Sequence, residues 1–137
     1  MRMSFEEISH TADVKIRVRA PTLEALFSET LKALMQVMYG PNLTGNNIRK
    51  IQIESDDYEA LLTDFLSEVL FISEVESLVF SEASVRIEGC SLTAELTGEP
   101  FNQIRHSGGT EVKGISYSGL VIQKNANGYM LDILFDV

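Results

Sequence analysis

The chain has 137 residues, 45% of them apolar and 23% charged, and a formal net charge of −9. That length buries a core without disulfide or metal staples, and the apolar fraction excludes wholesale disorder. With 11 Lys and Arg against 20 Asp and Glu, generic nucleic-acid binding is not expected, because phosphate contacts need cationic side chains; a basic protein partner or metal cations suit the charge better. The single cysteine, Cys90, permits no intramolecular disulfide and suits the reducing cytoplasm. It also has no zinc-ligand spacing with His10 and His106. The start lacks the apolar run of a signal peptide, and no segment approaches the roughly 20 apolar residues of a membrane span.

In chain order, residues 5–8 read as a short strand. Residues 14–19 read as a clear one: Val14, Ile16 and Val18 alternate with Lys15, Arg17 and Arg19, giving one buried and one wet face. Thr22 is the expected N-cap of a helix whose apolar positions run from Leu23 to Met38, stopped by Gly40-Pro41. After a polar loop at 42–47, residues 48–54 predict a strand with Ile51 and Ile53 on one face. Ser55-Asp56-Asp57 opens a second helix, Asp56 and Glu59 having the spacing of a capping box. Its wide apolar face (Leu61, Leu62, Phe65, Leu66, Val69, Leu70) makes it central.

The remainder reads as strands. Residues 78–88 and 92–97 flank a turn at Gly89-Cys90-Ser91. Residues 99–110, with Gly108-Gly109, are expected to be a flexible loop. Residues 112–124 and 129–137 flank Asn125-Ala126-Asn127-Gly128, a strong hairpin signal. The last strand puts Leu131, Ile133, Phe135 and Val137 on one face and Met130, Asp132, Leu134 and Asp136 on the other. The expected fold is α+β: one compact domain over 1–137, a mostly antiparallel sheet with two helices packed on one face.

No nucleophile elbow, phosphate loop, dinucleotide fingerprint or zinc-protease motif is present, so stand-alone catalysis is not favoured. Three segments stand out. His10-Thr11-Ala12-Asp13 joins two strands; read alone it is a turn, since Thr and Asp side chains bond nearby backbone N–H groups. Asp136 stands near the end of a mostly apolar strand and is followed by the terminal carboxylate of Val137; two adjacent acids repel unless something positive sits there, although in isolation a solvated strand end explains them better. Lys113 starts a strand after the glycine loop, where Glu111 and Lys113 guard a sheet edge, and Tyr117 reads as a core or half-buried aromatic.

Taken together, His10-Thr11-Ala12-Asp13, the run Glu111-Val112-Lys113-Gly114-Ile115-Ser116-Tyr117-Ser118-Gly119-Leu120 and the closing Phe135-Asp136-Val137 resemble the archease family over essentially the whole chain. Gly114 stands where Ala is usual. Ser118 stands where many prokaryotic members have His, so no role is assigned to it. The resemblance implies a non-enzymatic accessory protein that assists an RtcB-type RNA ligase in tRNA splicing and RNA repair. It would promote formation of the ligase–guanylate intermediate and multiple turnover. A chaperone-like modulator of a tRNA cytosine methyltransferase is the alternative, and a small metal-dependent phosphoester hydrolase a weaker one. The resemblance also implies a divalent cation held by Asp13 and Asp136 with an oxygen of Val137, Ca²⁺ being favoured and Mg²⁺ or Mn²⁺ alternatives. His10 would orient a ligand and Lys113 would neutralise a carboxylate or touch the partner. Oxygen-only ligands select such hard cations.

Overall fold

The computed structural model describes residues 3–10 and 13–137, Ser9 and His10 by their backbone alone. Its element order is β1 (Ser4–His10), β2 (Asp13–Ala20), α1 (Leu23–Tyr39), β3 (Asn47–Glu54), α2 (Tyr58–Glu76), β4 (Leu78–Glu88), β5 (Ser91–Pro100), β6 (Gly114–Ser116), β7 (Gln123–Asn125) and β8 (Gly128–Asp136). The expected α+β class is borne out, and every strand pairing is antiparallel. The strands divide into two sheets, where one was anticipated: β1-β2-β8-β6 with β7 also on β8, and β3-β5-β4. Both sheets alternate buried and wet residues, and their inner faces share one core with the helices. α1 packs against strands of both sheets, and so does α2. Val14, Ile16, Val18, Leu131, Ile133 and Phe135 supply the first sheet's share of that core. Phe27 of α1 meets Phe65 of α2 with ring centroids 5.9 Å apart. Neither helix is long and apolar enough to cross a membrane.

The helix ends follow from local chemistry. The Thr22 hydroxyl accepts from the Ala25 N–H at 3.1 Å, and α1 closes on Gly40 at φ 83°, whose N–H reaches the Gln36 carbonyl at 2.9 Å. α2 starts one residue later than the capping-box spacing suggested. Asp57, in extended conformation, is the N-cap and accepts from the Ala60 N–H at 2.8 Å. The Glu59 carboxylate instead accepts from the backbone N–H of Ile122, at 2.9 Å. Asp57→Ala is therefore expected to lower stability in urea melts by about 1 kcal/mol, whereas Asp56→Ala stays within about 0.5 kcal/mol of the parent.

The strand anticipated over 112–124 is broken into β6 and β7, which line the same edge of β8 at its two ends. The break is a turn in which the Leu120 N–H bonds the Tyr117 carbonyl and Gly119 adopts φ 73°. That φ belongs to the third residue of a type II turn and favours glycine. Tyr117 is 49% exposed, not core, and its hydroxyl donates to Asp57 at 3.4 Å. The segment expected as a flexible loop is also held. β5 runs on to Pro100, His106 is buried, and the Thr110 N–H bonds the Val37 carbonyl at 2.8 Å. A Cβ on Gly109 would meet the Met38 backbone at 2.3 Å, so only glycine lets the loop lie that close to α1.

Candidate metal centre

β2 and β8 pair along their whole length, and the register sets Asp13 opposite Asp136, Lys15 opposite Leu134 and Arg17 opposite Asp132. Directly opposed residues of an antiparallel pair share a face, with Cβ atoms about 4.5–5.5 Å apart. Because Val14 and Phe135 are buried, alternation puts Asp13 and Asp136 together on the outward face. Asp13 is half-buried and Asp136 exposed. On the far side of β8, Gly114 pairs with Asp136. A Cβ there would stand 3.5 Å from Asp136 Oδ2, an ordinary contact, so the Ala usual at this position fits as well as Gly.

The backbone around the acids is fixed. The Lys113 N–H donates to the Asp136 carbonyl at 2.7 Å, which continues the β6–β8 ladder by one residue. Lys113 is exposed beside the pair, and Val137 packs half-buried against the core. His10 closes β1 opposite Val14; its side chain, with Thr11 and Ala12, lies outside the described residues. Ser118 is exposed in the turn after β6. The structure thus brings together Asp13, Asp136, Val137 and Lys113, and leaves Ser118 off the strands that carry them.

Two like charges set directly opposite each other destabilise a strand pair, and no cation is built into this one from the opposed positions. Four residues along the same face the sheet does the reverse. Arg17 donates to both carboxylate oxygens of Asp132, at 2.8 and 3.1 Å, and Arg19 reaches Glu6 at 3.2 Å. The Arg17 hydrogen bond holds the Asp132 carboxyl below its usual range, helped by the charges of Arg17, Lys15 and Arg19 and opposed by partial burial. A carboxylate depressed in the folded state adds stability that is complete above its unfolded value and fades as pH falls through the folded one. Asp132→Asn is expected to lower the Tm at neutral pH, by up to about 1 kcal/mol of stability for a partly exposed pair, and to converge with the parent below about pH 4, which flattens the acid limb of the curve of Tm against pH; a pH series of thermal melts reads this.

The donor set fits a hard cation. It consists of oxygen atoms alone, on a solvent-open face, with room for water. Among the described residues no three His, Cys, Asp or Glu side chains converge. The two acids would therefore hold an ion whose remaining positions go to water, to an oxygen of Val137 or to a partner, as six- to eight-coordinate Ca²⁺ and partly hydrated Mg²⁺ permit. Reading the sequence missed the Arg17–Asp132 pair, which two matched alternations signal. It also missed the buried His106, for which nothing in the local sequence gave a sign.

Residues 5–137 match the model of the Archease protein family (MTH1598/TM1083). Among curated relatives, the protein archease of Methanosarcina barkeri is 33% identical, covering 97% of this chain and 95% of its own length. That of Thermococcus kodakarensis is 36% identical, over 90% and 91%. Two solved structures show the same fold. The solution structure of Methanobacterium thermoautotrophicum protein 1598 has a TM-score of 0.79 at 24% identity, covering 97% of this chain and 98% of that one. The crystal structure of an archease, described as a possible chaperone, from Thermotoga maritima has a TM-score of 0.68 at 17% identity, covering 100% and 98%.

Proposed function

The chain belongs to the archease family, and from that premise we propose that it activates an RtcB-type RNA ligase in the cytoplasm, using a divalent cation held between Asp13 and Asp136. The observation that carries the reading is the register that opposes these two acids on the outward face of the first sheet. A cation bound there supplies positive charge for phosphate oxygens at the ligase's nucleotide site. The chain's own residues do the positioning. β2 and β8 aim the two carboxylates the same way. The Lys113 N–H, bonded to the Asp136 carbonyl, stops the end of β8 from fraying. The Lys113 side chain stands ready to pair with an anionic group of the partner. An acid pair open to solvent suits an ion shared across an interface better than an ion enclosed by one protein.

The test is multiple-turnover ligation by an RtcB-type ligase with GTP, at a ligase concentration well below that of RNA. The expected result is continued turnover with this protein and arrest after about one round without it. A ligase indifferent to the addition overturns the proposal. The description of a structural relative as a possible chaperone favours one second reading, a chaperone-like partner of a tRNA methyltransferase. That role needs no cation, so a chelator leaves it intact and abolishes the first.

A further inference from the structure

A second feature lies on the loop that leads into β6. Tyr39 at the end of α1, Phe101 and His106 form a cluster of three rings. Centroids lie 5.9 Å apart for Tyr39 and Phe101, 5.9 Å for Phe101 and His106, and 6.4 Å for Tyr39 and His106. They wall a cavity of about 400 Å³ whose lining also includes Met38, Glu74 and Glu111. Its walls are built in advance. The Tyr39 hydroxyl is 2.8 Å from Ser73 Oγ, which in turn donates to the Leu78 carbonyl at 2.6 Å. His106 Nδ1 accepts from the Asn102 N–H at 2.8 Å, and its Nε2 lies 3.5 Å from Glu99 Oε2.

We propose that the cavity walled by Tyr39, Phe101 and His106 and rimmed by Glu74 and Glu111 receives an arginine side chain presented by a basic partner protein. The volume is at the low end for ligand sites and admits one long side chain together with water. Aromatic walls with carboxylates at the mouth match a side chain whose stem is apolar and whose head is cationic. Arginine fits better than lysine, because a planar guanidinium stacks on rings and has five donors to divide between two acids. The chain's own neighbouring arginine is occupied elsewhere: Arg105 bonds Glu99 at 2.6 Å and also reaches Thr44 and the Asn42 carbonyl. Next to Glu74, α2 exposes Phe71 and Val75, an apolar landing surface for the rest of the partner. The net charge of −9 favours approach of a basic surface. The site is distinct from the acid pair but linked to it, since Glu111 lines the cavity and Lys113 bonds Asp136.

The experiment is titration of the isotope-labelled chain with the peptide acetyl-Gly-Arg-Gly-amide, followed by amide chemical shifts, in the presence of a chelator. Its citrulline counterpart serves as a neutral isostere and its lysine counterpart as a second cation. Saturable shifts are expected at 38–39, 74 and 101–111, with no response to citrulline and a weaker one to lysine. Phe101→Leu should weaken binding roughly two- to five-fold, and Glu74→Gln with Glu111→Gln at least as much. The acids are surface residues, so these variants keep the test valid if Phe101→Leu unfolds. Equal binding of the citrulline peptide, equal binding of the lysine peptide, shifts centred on Asp13 and Asp136, or variants that bind like the parent would each overturn the proposal. Because no divalent metal ion enters the assay, its outcome is separate from that of the ligase reading.

Discussion

If the proposed cation site is correct, Asp13→Asn and Asp136→Asn are each expected to remove the thermal stabilisation that a divalent cation would give the parent protein, and with it the support of repeated ligase turnover. The parent, saturated to about 100 times its dissociation constant, gains about 2.7 kcal/mol by mass action. Either amide keeps the shape of the side chain and leaves one carboxylate, too little for a hard ion that relies on charge. The same substitutions should make the cation-free protein slightly more stable, because each removes a like-charge cross-strand pair that costs about 0.2–1 kcal/mol. The signature is thus a crossing: in chelator the variants melt at or above the parent, and in millimolar Ca²⁺ or Mn²⁺ they melt below it. Variants that still gain stability from the cation, or still sustain turnover, would show that the ion sits elsewhere.

Phe135→Ala should lower stability by about 3–5 kcal/mol, the range for truncating a fully buried aromatic side chain. Against a total of about 5–15 kcal/mol, that takes the Tm down by roughly 10–20 °C. Phe135 is fully buried and stands directly opposite Val14, between the core and the acid pair on either strand. The loss should be recovered in part by saturating divalent cation, because an ion bridging Asp13 and Asp136 holds the same two strand ends together. Thermal melts with and without cation measure both effects. An equal melting temperature in the two conditions would mean that the cation does not bridge these strands.

The strands and helices were legible where periodicity is unambiguous. Lys15, Arg17 and Arg19 alternate with buried partners as the pattern demands, and α1 begins at Thr22 as its chemistry requires. The division into two sheets was not legible, because alternation tells which face of a strand is buried and says nothing of its neighbours. The break at 117–122 was hidden for a related reason. Gly119 marks a turn only once the backbone is known to reverse there, and the hydrogen bond from Ile122 to Glu59 comes from a distant helix. Asp13 and Asp136 were each ordinary in isolation, as a turn residue and as a strand end. Their pairing became visible only through the family pattern, and the β2–β8 register then set them face to face. His106 looked like one more polar loop residue, because burial of a histidine in a loop leaves no periodic trace.

β8 lies between β2 and the β6–β7 edge, so the last strand in the chain fills the middle of the first sheet. During synthesis, which proceeds from the N-terminus at about 5–20 residues per second, the β1–β2 hairpin must wait with its inner edge unpaired until the elements from α1 to β7 and then β8 have been added. Such pairing between distant parts of a sequence is slow and leaves edges open to wrong partners. The acid pair therefore comes into being only once β8 has joined β2. A chain that stops short of β8 cannot present Asp13 opposite Asp136, and competence at the site reports that β8 has been made and has closed on β2.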